Sequence, residues 1–536
     1  MTDQLKSAAA AVDVAGTIVS DASRRLASLV SDAGRVSVAK LDEHQLFAYD
    51  LAHAAAAVEA SHVMCEYGAF GEIESKLASV YVADAIWDLG CRLLGREEEW
   101  GVSRGALDAA MPFVEQHRAP AALERLANEC AKHGTGPTHL SDDFELVAET
   151  FRRFAEDKIR PVAEHVHRTN ADVPEEIITG LAELGGFGLS VPEEYGGFAT
   201  GGESDYIGMV VATEELSRGS LGIGGSLVTR PEILTRALVA GGTEEQKHAW
   251  LPRIASGDVM VGIMVTEPDY GSDVAGVKVT ATPDTDGWRI NGVKTWATFA
   301  GRAKALMLLA RTDADRSKGH RGLSVFIVEK PPAGGHSFAF EDGRGGKLEG
   351  RAIDTIGYRG MHSYEVAFDN WFVPADNLSG GDAGLGRGFY LQMAGFENGR
   401  LQTAARAVGL MQAAFEAGLG YAQERKVFGE PVYEYQLSKA KLGRMAALIQ
   451  AGRQFSYDVA RKMAAGEGTL EASMVKAYVC RAAEWVTREA MQLHGGMGYA
   501  EEFPVSRYFV DARVLSIFEG ADETLCLRVI ARRLAE

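Results

Sequence analysis

The chain has 536 residues, too many for one core, and at about 100–200 residues per domain three or four domains are expected. With 46% hydrophobic and 24% charged residues, and no apolar run near the roughly 20 residues that span a bilayer, it reads as globular, not membrane-embedded. A formal net charge of -19 repels phosphate backbones and argues against nucleic-acid partners. The apolar stretch Ala8–Val19 is interrupted by Asp13 and lacks a basic leader, so no secretory signal is expected and the cytoplasm is the expected location. Cys65, Cys91, Cys130, Cys480 and Cys526 are scattered and never form Cys-x-x-Cys; they read as reduced core residues, not a disulfide frame or metal site.

Residues 1–137 are rich in alanine and leucine, and Leu46, Leu51, Ala54, Ala55 and Val58 recur at a spacing that predicts an apolar stripe on a helix. Gly134-Thr-Gly-Pro137 breaks that pattern and closes a helical extension. Over 138–258 the text stays helical. Ser141, Asp142 and Asp143 are suited to cap a helix carrying Phe144, Val147, Phe151 and Phe154, and glycine-rich Gly219–Gly225 interrupts the segment further on. Between 259 and 374 the period changes. Val277–Thr282, Trp288–Ile290, Ala305–Ala310, Leu323–Val328 and Tyr364–Val373 are β-prone runs separated by Asp286-Gly287, Asn291-Gly292 and similar turns, which predicts a small antiparallel β domain. Helices return over 375–536. Leu437, Leu442, Met445, Leu448, Ile449, Phe455 and Val459 form a bundle-helix stripe, Glu397–Arg400 is expected to open another helix, and His494–Tyr499 is a glycine-rich break. The fold class expected is mainly α with one β domain.

Met264-Val-Thr-Glu-Pro-Asp-Tyr-Gly-Ser-Asp273 ends a β run in a turn dense with hydroxyls, carboxylates and backbone amides, able to hold an anion or a polar ring. Trp296 and Thr298 stand two apart on a predicted strand, which places an indole and a hydroxyl on one side. Gly384–Gly388 is glycine-rich, yet no G-x-G-x-x-G register follows a strand and opens a βαβ unit, so no Rossmann site is expected. His165 and His167 lack carboxylate or thiolate companions at ligand spacing, and no metal site is expected. Glu519 lies in Ser-Ile-Phe-Glu-Gly-Ala-Asp-Glu-Thr-Leu, a carboxylate between large apolar residues and a glycine.

Thr266–Asp273, Trp296-Ala-Thr298, Glu424-Arg-Lys-Val-Phe-Gly429, His494-Gly-Gly-Met-Gly-Tyr499 and Ile517-Phe-Glu-Gly520 together, in order over about 140–536, resemble the acyl-CoA dehydrogenase family. The resemblance implies a helical domain, an antiparallel β domain and a C-terminal four-helix bundle, here with an extra N-terminal helical extension. It also implies FAD, held by Thr266, Ser272, Trp296 and Thr298. Arg425, Phe428, Gln436, Gln492 and Gly496 match residues that reach the FAD of a neighbouring subunit, implying a homodimer or a dimer of dimers. Arg425 suits a pyrophosphate because its planar fork donates two bonds.

Glu519 is the implied base. It would take the α-proton of an acyl-CoA thioester while the β-hydrogen leaves as hydride to the flavin, with electrons passing on to an electron-transfer flavoprotein. Burial beside Ile517 and Phe518 is expected to raise its basicity, and Gly520 is expected to leave room for the thioester. The position that supplies the base in some relatives matches Gly399, which cannot serve. Arg400, Glu397, Phe518, Gly520 and Ser272 are the implied substrate contacts. After Glu-Gly the family carries Thr-Ser-Glu or Thr-Ser-Gln, whereas this chain has Ala521-Asp522-Glu523, so one hydroxyl contact to FAD is absent.

Gly222, Gly224 and Gly225 are read as enlarging the acyl cavity, and Arg230 as a cation for a second carboxylate, so a short, branched dicarboxylic acyl group is expected. A bland alternative for Arg230 is to satisfy helix-end carbonyls or face solvent. An acyl-CoA oxidase, or a short-chain monocarboxylic dehydrogenase, remains open at this stage; a flavin-binding protein without turnover is disfavoured by the acidic charge and the intact Glu519.

Overall fold

The computed structural model describes residues 3–536. The chain divides into two compact units, one of residues up to Glu145 together with Thr403–Glu536, the other of Leu146–Gln402. The four segments expected from sequence are therefore regrouped: the N-terminal extension and the C-terminal helices build one core.

In that first unit, helices Gln45–Tyr67 and Glu72–Leu93 of the extension pack directly against Gln436–Ala464 and Thr469–Leu493. Helix Gln45–Tyr67 is buried on almost every side, not along one stripe, and its run of Ala54, Ala55, Ala56 and Ala57 lets several helices approach closely. Leu46 and Leu437, both expected in apolar stripes, are instead exposed. The Gly134–Pro137 break is stitched to the bundle by polar contacts. Arg453 donates to Thr135 Oγ1 at 3.1 Å and to Gln412 Oε1 at 2.9 Å, while Gln450 donates to the Pro137 carbonyl at 2.9 Å. All five cysteines are unpaired with one another, but Cys91 is exposed and Cys65 only partly buried, so the core reading holds for Cys130, Cys480 and Cys526.

The second unit combines helices such as Glu203–Gly219, Thr229–Gly241 and Glu244–Ala255 with an eight-stranded sheet. The strands are β1 Val261–Met264, β2 Thr280–Asp284, β3 Gly287–Thr298, β4 Ala305–Arg311, β5 Leu323–Glu329, β6 Ser337–Glu341, β7 Lys347–Ile353 and β8 Ser363–Pro374. Their order is β1-β4-β2-β3-β8-β7-β6, with β5 paired to β4. Most pairings are antiparallel as expected, but β1 runs parallel to β4, and β2 meets β4 in parallel at Thr280–Arg311. β4 is apolar from Ala305 to Ala310, with only Arg311 charged at its end, because both of its faces are covered. Met307 and Leu309 join Ile233, Leu234, Leu238 and Trp250 from the helices, whereas Leu306 and Leu308 join Val366, Phe368 and Trp371 of β8. Strands β6 and β7 escaped the sequence reading because β6 is only five residues long and β7 carries Lys347, Glu349 and Arg351 on its exposed face. The run expected from Val277 becomes strand only at Thr280, since Val274–Gly276 is a tight 3-10 turn. Among the described residues no helix is long and apolar enough to cross a membrane.

Candidate active site

Helix Val505–Leu515 ends in a loop where Glu519 and Gly520 take left-handed backbone angles, φ 55° and 94°. A Cβ at Gly520 would stand 2.9 Å from a Leu525 methyl, so backbone shape already demands glycine there, whatever approaches from outside. The Glu519 side chain is only 4% exposed, and its Oε1 lies 3.9 Å from Nη2 of Arg406, itself fully buried. The Arg406 guanidinium also sits over the Phe518 ring at 4.8 Å. Lys476, buried on the neighbouring helix, donates to the Gly520 carbonyl at 2.5 Å. Burial pushes the Lys476 ammonium down while Cys480, Glu519 and Asp522 act to keep it charged.

This corrects the expected surroundings of Glu519. Ile517 is 54% exposed and gives the carboxylate no apolar wall; dryness comes from the helices, and two buried cations offset the charge that burial disfavours.

The turn after β1 is closed from within. Glu267 is buried and accepts the amides of Lys278 and Val279 at 2.6 and 2.8 Å and the Lys294 ammonium at 2.9 Å. Lys294 is wholly buried and donates also to the Val265 carbonyl at 2.8 Å; burial pushes it down to about 8, with Glu267 opposing. The Thr295 amide donates to the Thr266 carbonyl at 2.9 Å, joining the turn to β3. Above this base, Gly271, Ser272 and Asp273 are exposed.

Trp296 has φ 56° and is 55% exposed, whereas Thr298 is buried with its hydroxyl 3.0 Å from that of Ser363. The positive φ interrupts the strand's alternation, so the indole and hydroxyl do not simply share a side as expected. The indole is thus held in solvent on left-handed backbone.

In the other unit, Arg425, Phe428, Gln436, Gln492 and Gly496 are all exposed in the single chain. Phe428 is 98% exposed, with Leu437 and Tyr499 also uncovered. Gln436 donates to Glu124 of the extension at 2.5 Å.

Three family models match in sequence: the acyl-CoA dehydrogenase N-terminal domain over residues 141–258, the middle domain over 262–371 and the C-terminal domain over 386–535. A (2S)-methylsuccinyl-CoA dehydrogenase of Cereibacter sphaeroides is 39% identical over 527 residues, covering 95% of this chain and 94% of its own. The chain belongs to the acyl-CoA dehydrogenase family. It is an oxidoreductase acting on acyl-CoA, in a family of FAD-dependent enzymes. Butyryl-CoA dehydrogenase of Megasphaera elsdenii superposes with a TM-score of 0.67 at 30% identity, over 74% of this chain and 99% of its own. A glutaryl-CoA dehydrogenase of Mycobacterium smegmatis, solved in complex with FADH2, gives 0.64 at 27% identity over 74% and 95%. The residues of this dehydrogenase fit such a cofactor: an exposed indole for a ring face, with hydroxyls and turn amides for its polar edge.

Arg230 stands in the first turn of helix Thr229–Gly241, 6% exposed, and donates to the Tyr358 hydroxyl at 3.3 Å. It therefore does not face solvent. Two residues on, buried Glu232 accepts from Arg236 at 3.4 Å and from the Asn398 amide. Glu397 and Arg400, half-buried, lie inside helix Gly388–Glu424 and not at its start; burial raises the Glu397 carboxyl, and Arg400 opposes.

The glycines of 222–225 require a different explanation from the one expected. A Cβ would lie 2.3 Å from the Arg359 carbonyl at Gly222, 2.3 Å from the Leu216 carbonyl at Gly224 and 1.8 Å from Ser217 Oγ at Gly225. The volume they spare is filled by protein, so they serve close packing and not cavity size. Sequence reasoning also missed Glu267 with Lys294, Arg406 and Lys476. A lysine inside a long strand was the one available signal, and the other two were hidden in helical text.

Proposed function

We propose that this protein dehydrogenates a short, branched dicarboxylic acyl-CoA, (2S)-methylsuccinyl-CoA to mesaconyl-CoA, as a step of the ethylmalonyl-CoA pathway in the cytoplasm. The dicarboxylic assignment is carried by one observation, the buried cation Arg230 beside the Tyr358 hydroxyl; a fixed guanidinium suits a second carboxylate.

Glu519 removes the proton from the carbon next to the thioester carbonyl, and its own backbone amide donates to the oxygen on which charge develops. Such a donor contributes about 3–4 kcal/mol in the transition state. FAD, when bound, supplies the acceptor for the hydride lost from the β-carbon. Thr266, Ser272, Trp296 and Thr298 would lie along its ring and the neighbouring phosphate. Arg400 would meet the CoA moiety and Ser272 its pantetheine, with Glu397, Phe518 and Gly520 as the other substrate contacts. Arg425, Phe428, Gln436, Gln492 and Gly496 reach the cofactor of a second copy, making the enzyme a homodimer or dimer of dimers; their exposure supports this role. An electron-transfer flavoprotein takes the electrons onward.

Anaerobic mixing with a panel of CoA thioesters, read as loss of flavin absorbance, tests the assignment. Methylsuccinyl-CoA is expected to bleach the flavin fastest; faster bleaching by butyryl-CoA or isovaleryl-CoA overturns it, and oxygen consumption without a protein acceptor indicates an oxidase. Arg230→Ala should lower kcat/KM for the dicarboxylic substrate by roughly 10–100-fold, the worth of a charged hydrogen bond, with little change for a monocarboxylic one. Equal losses on both would dismiss the carboxylate role.

A further inference from the structure

Asp522 stands three residues after Glu519, in the short segment that departs from the family pattern, and its side chain is 8% exposed. Its carboxylate is held from the N-terminal extension. Tyr49 donates its hydroxyl to Oδ2 at 2.5 Å, and His53 Nε2 lies 3.2 Å from the same oxygen. Tyr49 and His53 are one turn apart on helix Gln45–Tyr67, with their rings edge to face at 4.8 Å. Cys526 Sγ lies 3.9 Å from Oδ1 and 3.4 Å from His53 Nε2, and Arg481 donates to the Tyr49 hydroxyl at 3.3 Å.

The backbone of the loop is tied at the same point. The Asp522 amide donates to the Ser516 carbonyl at 3.0 Å, closing the loop that contains Glu519, and Lys476 holds the Gly520 carbonyl. A non-glycine residue in left-handed backbone, as Glu519 is, persists only where its surroundings over-determine it. Here part of the determination comes from helix Gln45–Tyr67, which lies outside the three family models, the first of which begins at residue 141.

Resting on the reading of Glu519 as the base, we propose that Tyr49 and His53 of the extension are positioning residues that fix the Glu519 loop through Asp522. The extension is then part of the catalytic apparatus without touching the reacting atoms.

Full-length holoenzyme carrying Tyr49→Phe, His53→Leu, both together, or His53→Gln tests this by anaerobic stopped flow over a range of the thioester that bleaches the wild type. The double variant should lose roughly 10–100-fold in bleaching rate at saturating substrate, the scale of an ångström's misplacement. Half-saturating concentration should stay within about twofold, FAD content should be unchanged, and His53→Gln, which keeps a donor, should recover most of the rate relative to His53→Leu. A wild-type saturating rate in the double variant overturns the proposal, as does a loss that merely follows FAD content. Should the double variant not fold, the isosteric Asp522→Asn, read by the same split between rate and half-saturation, decides in its place. If no thioester bleaches the wild-type flavin, the base reading itself fails, and that outcome is seen before any variant is compared.

Discussion

The Glu519 loop and the turn after β1 both hold polar groups on irregular backbone, but they are secured over very different distances along the chain. The turn is closed locally: Glu267 reaches the Val279 amide 12 positions away and Lys294 27 positions away. The Glu519 loop is anchored remotely, by Lys476 at 44 positions and by Tyr49 and His53 at 473 and 469. A local closure survives as a recognisable motif, because the residues that make it travel together in sequence. A remote one lets the short loop vary, as Ala521-Asp522 does, provided that a distant helix supplies the matching group.

The comparison breaks first at Glu519. Glu519→Gln should lower the rate of flavin bleaching by roughly 10²–10⁴-fold while FAD stays bound, since the turn is untouched; near-normal bleaching would show that another group takes the proton. The turn itself is sharpened by Lys294→Met, which strands the buried Glu267 carboxylate and should destabilise the protein by about 3–5 kcal/mol in urea titration, with loss of FAD. Unchanged stability and flavin content would mean that the turn does not depend on its internal ion pair.

Asp522→Asn is the mildest change and the one with a pH signature. Burial would raise the Asp522 carboxyl, but hydrogen bonds and charge from His53, with Tyr49, hold it below the ordinary 3.8. Its stabilising contribution is therefore complete above that value and lost as pH falls through the lower folded one. Asp522→Asn should cost about 1.5–3 kcal/mol near pH 6, and the urea midpoints of variant and wild type should converge below pH about 4. A gap that stays constant on acidification would show that the negative charge contributes nothing.

Much of this was legible beforehand. Periodicity located the helices and the strongest strands, because a covered face imposes its spacing on the chain. β6 and β7 were missed because β6 is short and β7 buries only small or single apolar residues between its exposed charges, and the parallel pairing of β1 with β4 leaves no local trace because its partner lies beyond an intervening hairpin. Glu519, Trp296 and Thr266 stood out through their neighbours. Arg406 and Lys476 did not, since a cation in a long helix looks the same in sequence whether solvated or buried.

By itself, then, the sequence determined the family, the order of helical and β segments and the candidate for the base, all of which rest on patterns within a few dozen residues. Only the tertiary structure decided that the extension shares a core with the C-terminal bundle, that Gly222, Gly224 and Gly225 make room for neighbouring protein atoms, and that Glu519 lies among buried cations. Those facts depend on what each group meets once the chain is folded, whether a neighbour close in sequence, as at Gly224 and Gly225, or a distant helix, and packing alone sets that.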